Sequence, residues 1–382
     1  MSTGVTAVPG FEAAGIACGI KASGAPDLAL VATADRRPVD AIAVFTTNKA
    51  TAAPLQVSRA HLAATKGRAA AVVLNSGNAN AATGAAGRAD AERMCALVAE
   101  ELGCQAEDVL VCSTGLIGIP LPMAPIESGV APLAAALSPE GGAAAAGAIM
   151  TTDTQRKETV VRGAGFTVGG MAKGAAMLAP NMATMLAVLT TDAVVHPDDL
   201  RLAVEGSFHR LTVDGCTSTN DTVIVLSSGQ VHAAGVEIAL AQACRELAEA
   251  MAEDAEGATK VVTVTVTGAA SDADAAAAAR KVAESELCKC SWYGQDPYWG
   301  RVVSELGSAG VAFDADKVSV TYGKVTVARD GVACAHDATA LKDVMAARRI
   351  ALTADLGIGD GHGFVITNDL THAYVDENMG TS

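Results

Sequence analysis

Aromatic residues and positive charge are both scarce in this sequence of 382 residues. Aromatics make up 3% of it, whereas 50% is hydrophobic and 38 residues are glycine, so a core must pack closely on small side chains. The 27 lysines and arginines face 42 acidic residues, which gives a net charge of −15. Nucleic acids and anionic membrane surfaces bind clustered lysine and arginine. The balance therefore argues against both partners, and we expect a soluble cytoplasmic protein.

The spacings that hold metals or phosphates are also missing. The nine cysteines contain no CxxC pair, the seven histidines no HExxH pattern, and no GxxxxGK[ST] loop is present. Zinc sites, metalloprotease helices and nucleotide-binding loops depend on those spacings. We therefore expect neither a metal nor a resident cofactor, and we interpret the cysteines as reduced thiols of the cytoplasm.

Neither a secretory signal nor a membrane span is expected. The first residues, MSTGVTAVPGFEAAG, lack a basic region followed by an apolar one. An uncharged run covers residues 174–191, but it is shorter than the roughly 20 residues of a spanning helix and contains Pro180 and Asn181. We interpret this run as buried core.

Helical and strand-like patterns alternate along the chain. Residues 238–254 repeat their apolar positions with the period of an amphipathic helix, and residues 261–267 (VVTVTVT) alternate as a strand does. Such alternation favours α/β layers. The polar turn after this strand places a domain boundary near residue 270, which separates a catalytic domain of residues 1–270 from a smaller domain of residues 271–382.

Thr184 lies inside the uncharged run and follows the small residue Ala183. A threonine alcohol is a weak nucleophile that needs a base, and its own α-amine can serve once the preceding peptide bond is cut. That amine has a pKa of roughly 7.7–8.0, close to neutral pH. The cut would begin with attack of the Thr184 hydroxyl on the Ala183 carbonyl. The alternative is a threonine that bonds a helix carbonyl within the core.

Other residues could assist such a nucleophile. Thr114 and Gly115 follow a strand-like run and offer a hydroxyl and an accessible N–H to an oxyanion, although a turn with a capping hydroxyl would look the same. Lys173 lies among glycines, where it could pair with a substrate carboxylate or reach solvent. Glu256 lies between a helix and a strand, where it could hold an ammonium group or cap a solvated helix end.

Seven short sequence motifs, distributed over essentially the whole chain, occur in an order that resembles a known protein family. They are NSGNANA (75–81), STGLIG (113–118), TTDT (151–154), AKGAAMLAPNMATMLAVLTTDA (172–193), DGCTSTNDT (214–222), EGATK (256–260) and DPYWGR (296–301). The chain thereby resembles the ornithine acetyltransferase family, also called the glutamate N-acetyltransferases. So many ordered blocks make chance similarity improbable.

The resemblance implies a precursor that cleaves itself between Ala183 and Thr184. Its α chain (residues 1–183) and its β chain, which begins at Thr184, would stay associated, as two αβ pairs. The family's nucleophile matches Thr184 and its oxyanion donors match Thr114 and Gly115. The tail ends Asn378-Met379-Gly380-Thr381-Ser382 and is one residue shorter than the family pattern. The substrate-binding positions match Thr151, Lys173, Thr184, Glu256 and Asn378, with a hydroxyl from either Thr381 or Ser382.

The fold implied by the resemblance is a four-layer α/β/β/α sandwich of the N-terminal-nucleophile type, with a smaller C-terminal α/β domain. The implied reaction belongs to arginine biosynthesis: acetyl moves from N-acetylornithine to Thr184 and on to glutamate, in ping-pong order, with acetyl-CoA as a second candidate donor. Apolar neighbours such as Met182, Met185 and Leu186 would keep water from the acetyl ester. Two alternatives stay open: a self-processing N-terminal-threonine aminopeptidase or amidase, and an uncleaved metabolite-binding protein without catalysis.

Overall fold

The computed structural model describes residues 3–178 and 185–379. The predicted residues Ala183, Thr184, Thr381 and Ser382 therefore lie outside the described residues. The chain divides into two compact units. The first comprises the chain up to His209 together with Cys216–Met251, and the second comprises Arg210–Gly215 together with the chain from Ala252 onward.

The first unit contains two β-sheets, one of four strands in the order β1-β2-β5-β6 and one of six in the order β4-β3-β10-β9-β8-β7. Its strands are β1 (Phe11–Ile16), β2 (Leu28–Thr33), β3 (Val39–Phe45), β4 (Arg68–Ala69), β5 (Ala71–Asn78), β6 (Val109–Leu116), β7 (Lys157–Arg162), β8 (Thr167–Lys173), β9 (Leu186–Ala193) and β10 (Thr222–Val231). Its helices are α1 (Ala53–Ala64), α2 (Gly84–Leu102), α3 (Met123–Ala135), α4 (Gly142–Ala148), α5 (Pro197–Glu205) and α6 (Val236–Glu253).

The two sheets pack face to face, with helices on their outer faces. Leu74 of the first sheet and Ile224 of the second belong to one buried apolar cluster. On the outer face of the first sheet, Met94 of α2 packs with the buried residues of β2 and β5. On the outer face of the second, α6 lies so close to β8 that a Cβ on Gly170 would come within 3.3 Å of Leu247. The predicted α/β/β/α layering is thus confirmed.

Local sequence explains how α2 connects the parallel pair β5 and β6. A parallel pair needs a crossover, and a helix commonly supplies it. Met94, Cys95, Val98 and Leu102 of α2 are buried at helical spacing. Gly103 ends the helix with φ at +70°, a conformation that glycine adopts without steric cost. The crossover returns the chain to the sheet so that Ser76 pairs with Thr114 and Gly77 with Gly115.

The second unit is built on a six-stranded sheet in the order β14-β13-β12-β15-β11-β16. Trp292 and Tyr322 are among the largest side chains of its buried core. The strands are β11 (Val261–Ala269), β12 (Ser319–Tyr322), β13 (Val325–Arg329), β14 (Val332–Ala333), β15 (Arg349–Asp355) and β16 (Gly361–Asn368). The helices are α7 (Asp272–Ala283), α8 (Glu286–Tyr293), α9 (Trp299–Gly307), α10 (Ala338–Ala346) and α11 (His372–Glu377). Short 3-10 turns in the chain are Gly4–Thr6, Ala106–Asp108, Phe208–Arg210 and Ala315–Lys317.

The contacts of β11 place residues 252–270 with the second unit, whereas the sequence pattern places the domain boundary after them. β11 pairs in parallel with β15 and antiparallel with β16, along nearly its whole length. A polar turn after a strand marks where the strand ends, but it does not identify the sheet that the strand joins. The partners of β11 lie 88–107 residues further along the chain.

Most of the described part of the uncharged run is buried, as expected, and only Ala176 and Met177 in it are half-buried. Residues 186–193 form β9, which lies between β8 and β10 in the second sheet. The first six residues of β9 are fully enclosed, where an unpaired charge would be costly, and the first charge, Asp192, comes at the half-buried end of the strand. Among the residues that the structure describes, no helix is long and apolar enough to cross a membrane.

Replacement of Leu247 tests the packing of α6 on the second sheet. Leu247 is 1% exposed, so Leu247→Ala is expected to lower the free energy of unfolding by about 3 kcal/mol, from lost burial and the cavity left behind. Leu202 of α5 is 57% exposed, and Leu202→Ala should cost less than about 0.5 kcal/mol. Urea unfolding followed by circular dichroism measures both, and equal losses would contradict the layering.

Candidate active site

Thr114 and Gly115 lie at the carboxyl end of β6, in the first unit. Thr114 is fully buried. Gly115 has φ at +133°, and a Cβ at this position would come within 2.3 Å of the Gly77 carbonyl carbon. Only glycine fits there, because both the backbone conformation and the contact with β5 exclude a side chain. The sequence predicted this pair as oxyanion donors, and the structure places both residues at one strand end, where Thr114 is buried, Gly115 is half-buried and Leu116 is exposed.

Lys173 lies at the end of β8, and its ammonium group points to Thr114. Its Nζ donates a hydrogen bond of 3.2 Å to the Thr114 hydroxyl oxygen. Lys173 is 2% exposed, so the alternative of a lysine that reaches solvent is wrong. A hydroxyl that accepts a hydrogen bond still has its own hydrogen to donate. The arrangement therefore orients Thr114 as a donor.

Asp153 joins Lys173 to Thr151, another predicted substrate-binding residue. One of its carboxylate oxygens accepts the Thr151 N–H at 3.0 Å. The same oxygen is 4.0 Å from Lys173 Nζ, and the other oxygen is 2.6 Å from Lys157 Nζ. Burial by itself raises the pKa of Asp153, but the two ammonium groups and the hydrogen bonds lower this pKa to about 2. Asp153 is therefore ionised at neutral pH.

Sequence reasoning did not select Asp153, although the residue lies in the TTDT block. The available signal was the lysine four residues later, in an Asp-x-x-x-Lys spacing. That spacing is common on protein surfaces, where such ion pairs contribute little. Burial is what distinguishes this pair, since the side chains of Asp153 and Lys157 are 0% and 1% exposed.

Met185, the residue that follows the predicted nucleophile, is held by a buried carboxyl group. The Met185 N–H donates to Asp221 Oδ1 at 2.9 Å. Burial raises the pKa of Asp221 well above its usual range, despite the hydrogen bond from Met185. Asp221 follows the strand-entering turn of the DGCTSTNDT block, and sequence reasoning gave it no role.

Glu256 and Asn378, two of the predicted substrate-binding residues, meet in the second unit. Asn378 Nδ2 donates to Glu256 Oε2 at 2.8 Å. Glu256 is 8% exposed, so the alternative of a solvated helix end is wrong. Glu256 lies in the turn after α6, and Asn378 directly follows α11. These two segments pack closely, since a Cβ on Gly257 would come within 2.4 Å of the Tyr374 nitrogen. The structure thus brings together two residues that are 122 positions apart.

Glu256 borders a cavity of about 250 Å³ within the second unit. Five carboxyl groups and one ammonium group line it, so the cavity favours a cationic ligand group. The Tyr374 hydroxyl donates to one of the carboxylates, that of Asp214, at 3.2 Å. The lining residues are Val213, Asp214, Glu256, Glu284, Glu286, Lys289, Asp369, Leu370 and Tyr374.

Lys289, the ammonium group in this lining, holds the surrounding backbone. Its Nζ donates to the Val213 carbonyl at 2.8 Å, to the Thr367 hydroxyl at 2.7 Å and to the Asn368 carbonyl at 2.8 Å. Burial lowers the pKa of Lys289 to about 8, and the nearby carboxylates oppose this shift. Sequence reasoning missed Lys289 because a lysine on an amphipathic helix resembles a surface residue.

Comparison with known proteins gives a consistent set of relatives. The model of the ArgJ family matches residues 12–380. The chain is 46% identical over 386 residues to the arginine biosynthesis bifunctional protein ArgJ of Thermobifida fusca, with 99% of each chain covered. It is 46% identical over 387 residues to the protein of the same name from Streptomyces coelicolor, again with 99% of each covered. The solved structure of ornithine acetyltransferase with ornithine from Mycobacterium tuberculosis is 48% identical over 47% of this chain and 95% of its own, with a TM-score of 0.45.

Acid titration tests the ion pairs of Asp153. Its pKa is about 2 in the folded protein and 3.8 as the ordinary value, so its contribution to stability is complete above pH 4 and is lost as the pH falls towards 2. The full contribution is about 2 kcal/mol. In Asp153→Asn this part of the pH dependence should disappear. Urea unfolding of both proteins between pH 7 and pH 2 measures the difference, and parallel curves would contradict an ionised Asp153.

Proposed function

Because the chain belongs to the ArgJ family, we propose that it transfers the acetyl group of N-acetylornithine to glutamate through an acetyl ester on Thr184. The observation that carries the proposal is the end of β6, where Lys173 orients the buried Thr114 hydroxyl beside the half-buried Gly115. A hydroxyl and a main-chain N–H from adjacent residues are suited to the negative oxygen of a tetrahedral intermediate. Such an intermediate occurs both in peptide cleavage and in acetyl transfer.

The first chemical step is self-cleavage. The Thr184 hydroxyl oxygen attacks the Ala183 carbonyl carbon, and the hydroxyl proton passes to the departing Thr184 nitrogen. The C–N bond breaks, which leaves an ester between Ala183 and the Thr184 oxygen and a free α-amine on Thr184. Water then hydrolyses the ester to a carboxylate on Ala183 and regenerates the hydroxyl. The two chains are residues 1–183 and residues 184–382.

The second step uses the new amine as a base. It takes the proton of the Thr184 hydroxyl while the oxygen attacks the acetyl carbonyl of N-acetylornithine. Thr114 and Gly115 donate to the oxyanion, and the proton returns to the nitrogen of ornithine as the amide bond breaks. The α-amine of glutamate then attacks the acetyl ester, which yields N-acetylglutamate and free Thr184. The order is ping-pong because the donor product leaves before the acceptor reacts.

Substrate recognition is proposed for the two sets of predicted residues. Thr151 and Lys173 belong to the network around Asp153, and a lysine ammonium can pair with a substrate carboxylate. Glu256 borders the anionic cavity, which suits the ammonium group of ornithine, and Asn378 donates a hydrogen bond to Glu256. The remaining hydroxyl, from Thr381 or Ser382, is part of the same proposal.

Acetyl-CoA is a second candidate donor, and two αβ pairs in the cytoplasm are the proposed assembly.

Replacement of Thr184 tests the proposed chemistry. Thr184→Ala should remain a single chain of 38.2 kDa and should transfer no acetyl group, since both steps need the hydroxyl. Thr339→Ala removes an exposed hydroxyl and should cleave and transfer like the wild type. Intact mass follows cleavage, and chromatography of the amino acids follows transfer from N-acetylornithine or acetyl-CoA to glutamate. A folded Thr184→Ala protein with full transfer would refute the mechanism, and acetate release that ignores glutamate would favour an amidase.

Replacement of Gly115 tests the oxyanion site. Gly115→Ala forces a Cβ against the Gly77 carbonyl, so it should slow both cleavage and transfer by roughly 100-fold or more, the loss typical of one oxyanion donor. Gly118 has φ at +82° with no atom within 4 Å of an added Cβ. Gly118→Ala therefore controls for backbone strain alone, about 1 kcal/mol, and should stay within a few-fold of the wild-type rate. Equal losses in the two variants would argue against Gly115 as a donor.

A further inference from the structure

Three consecutive residues, Asn220, Asp221 and Thr222, connect the two segments that carry the proposed chemistry. Asn220 is 2% exposed and donates both of its amide hydrogens to main-chain carbonyls. Its Nδ2 is 2.9 Å from the Ser113 oxygen and 2.6 Å from the Ala79 oxygen. Ser113 directly precedes Thr114. Asn220 therefore fixes the strand end on which both proposed oxyanion donors lie.

The next two residues form hydrogen bonds with the N–H and the carbonyl of Met185. The Met185 N–H donates to Asp221 Oδ1 at 2.9 Å, and the Met185 carbonyl accepts the Thr222 N–H at 3.2 Å. Asp221 is fully buried. Met185 is bonded directly to Thr184, and consecutive Cα atoms lie about 3.8 Å apart. Met185 is therefore held through both its N–H and its carbonyl.

The three residues connect the two sheets of the first unit. Thr222 begins β10 and pairs with Leu186 of β9 in the second sheet, whereas Ser113 and Ala79 lie on β6 and just after β5, in or beside the first. Strands in facing sheets share no ladder of hydrogen bonds, so their relative position along the strand direction depends on side chains. Asn220 supplies such a bond at the edge where β6 ends.

We propose that Asn220 and Asp221 are positioning residues that hold the segment beginning at Met185, which directly follows the proposed nucleophile, at a set distance from the oxyanion donors at 114 and 115. This inference rests on the proposed function, because it assigns a purpose to the separation of those two groups. A misplacement of about 1 Å can lower a rate by roughly 100-fold. One residue holds the donor segment and its neighbour holds the nucleophile segment, so the distance is fixed by a single peptide unit.

The residue types fit this role. An asparagine amide provides two N–H donors, and the two acceptors here are carbonyl oxygens. An aspartate at 220 would place carboxylate oxygens against these carbonyls, with no hydrogen to share unless it were protonated. Position 221 needs an acceptor for the Met185 N–H, which a carboxyl group or an amide oxygen can supply but an alkyl group cannot.

Asn220→Asp is the first test, and Asn368→Asp is its matched control. Asn368 is also buried, and its Nδ2 donates to two main-chain carbonyls, those of Ala252 and Lys260, in the second unit. Melting followed by circular dichroism measures the stability loss of each variant. Intact mass measures the cleavage rate, and steady-state kinetics measure kcat and KM for acetyl transfer from N-acetylornithine to glutamate.

We expect Asn220→Asp to slow cleavage and lower kcat by roughly 100-fold, with KM for both substrates changed by less than about two-fold. Asn368→Asp should lose comparable melting temperature and keep the wild-type rate of self-cleavage, which involves no substrate. If Asn220→Asp cleaves at the wild-type rate as the control does, the residue serves stability alone and the inference is overturned. A wild-type chain that neither cleaves nor transfers acetyl would instead refute the proposed function, so the two failures are distinguishable.

Two substitutions at position 221 test the proposal independently, and they do so even if Asn220→Asp does not fold. Asp221→Asn keeps an oxygen acceptor for Met185, whereas Asp221→Leu has a similar size and none. We expect Asp221→Asn to cleave and transfer within about three-fold of the wild type, and Asp221→Leu to lose roughly 100-fold in both. Equal rates in the two variants would overturn the role assigned to Asp221.

Discussion

The buried Asp153 carboxylate, held between Lys157 and Lys173, is the interaction on which the rest of the site depends. Ions pay a desolvation cost inside a protein, so each must find partners. Asp153 meets this requirement with two ammonium groups and the N–H groups of Thr151 and Gly174. In doing so it keeps Lys173 in the interior, where Lys173 donates to Thr114. One carboxylate thereby organises a lysine, a hydroxyl and a loop that come from distant parts of the chain.

Much of the layered fold could be predicted from sequence, because long elements with strong periodicity carry their own signal. The helix expected over residues 238–254 is α6 (Val236–Glu253), and the strand expected over 261–267 is β11 (Val261–Ala269). The strand β8 was not predicted. β8 reads TVGGMAK and is buried along its whole length, so it shows no alternation, and its glycines are poor strand formers by themselves. Glycine is favoured at position 170 because β8 packs closely against α6 and β9.

The site could be predicted only as far as residue chemistry and family resemblance reach. Thr114, Gly115, Lys173, Glu256 and Asn378 were expected. The structure places the first three together at the end of β6 and joins the other two by a hydrogen bond at the edge of an acidic cavity. Asp153, Asn220 and Asp221 were missed. The Asn220 bonds span 107 and 141 residues, and a local pattern cannot show that an asparagine in a polar turn meets carbonyls so far away. Burial decides their roles, and burial is a property of the fold.

In the proposed mechanism, Thr184 carries the acetyl group between donor and acceptor. The most direct measurement is the mass of the peptide that begins at Thr184 after incubation with N-acetylornithine in the absence of glutamate. We predict one added acetyl group on that peptide, which disappears when glutamate is supplied and reappears as N-acetylglutamate. Absence of the acetylated Thr184 peptide while glutamate is withheld, from enzyme that transfers acetyl once glutamate is added, would contradict the mechanism.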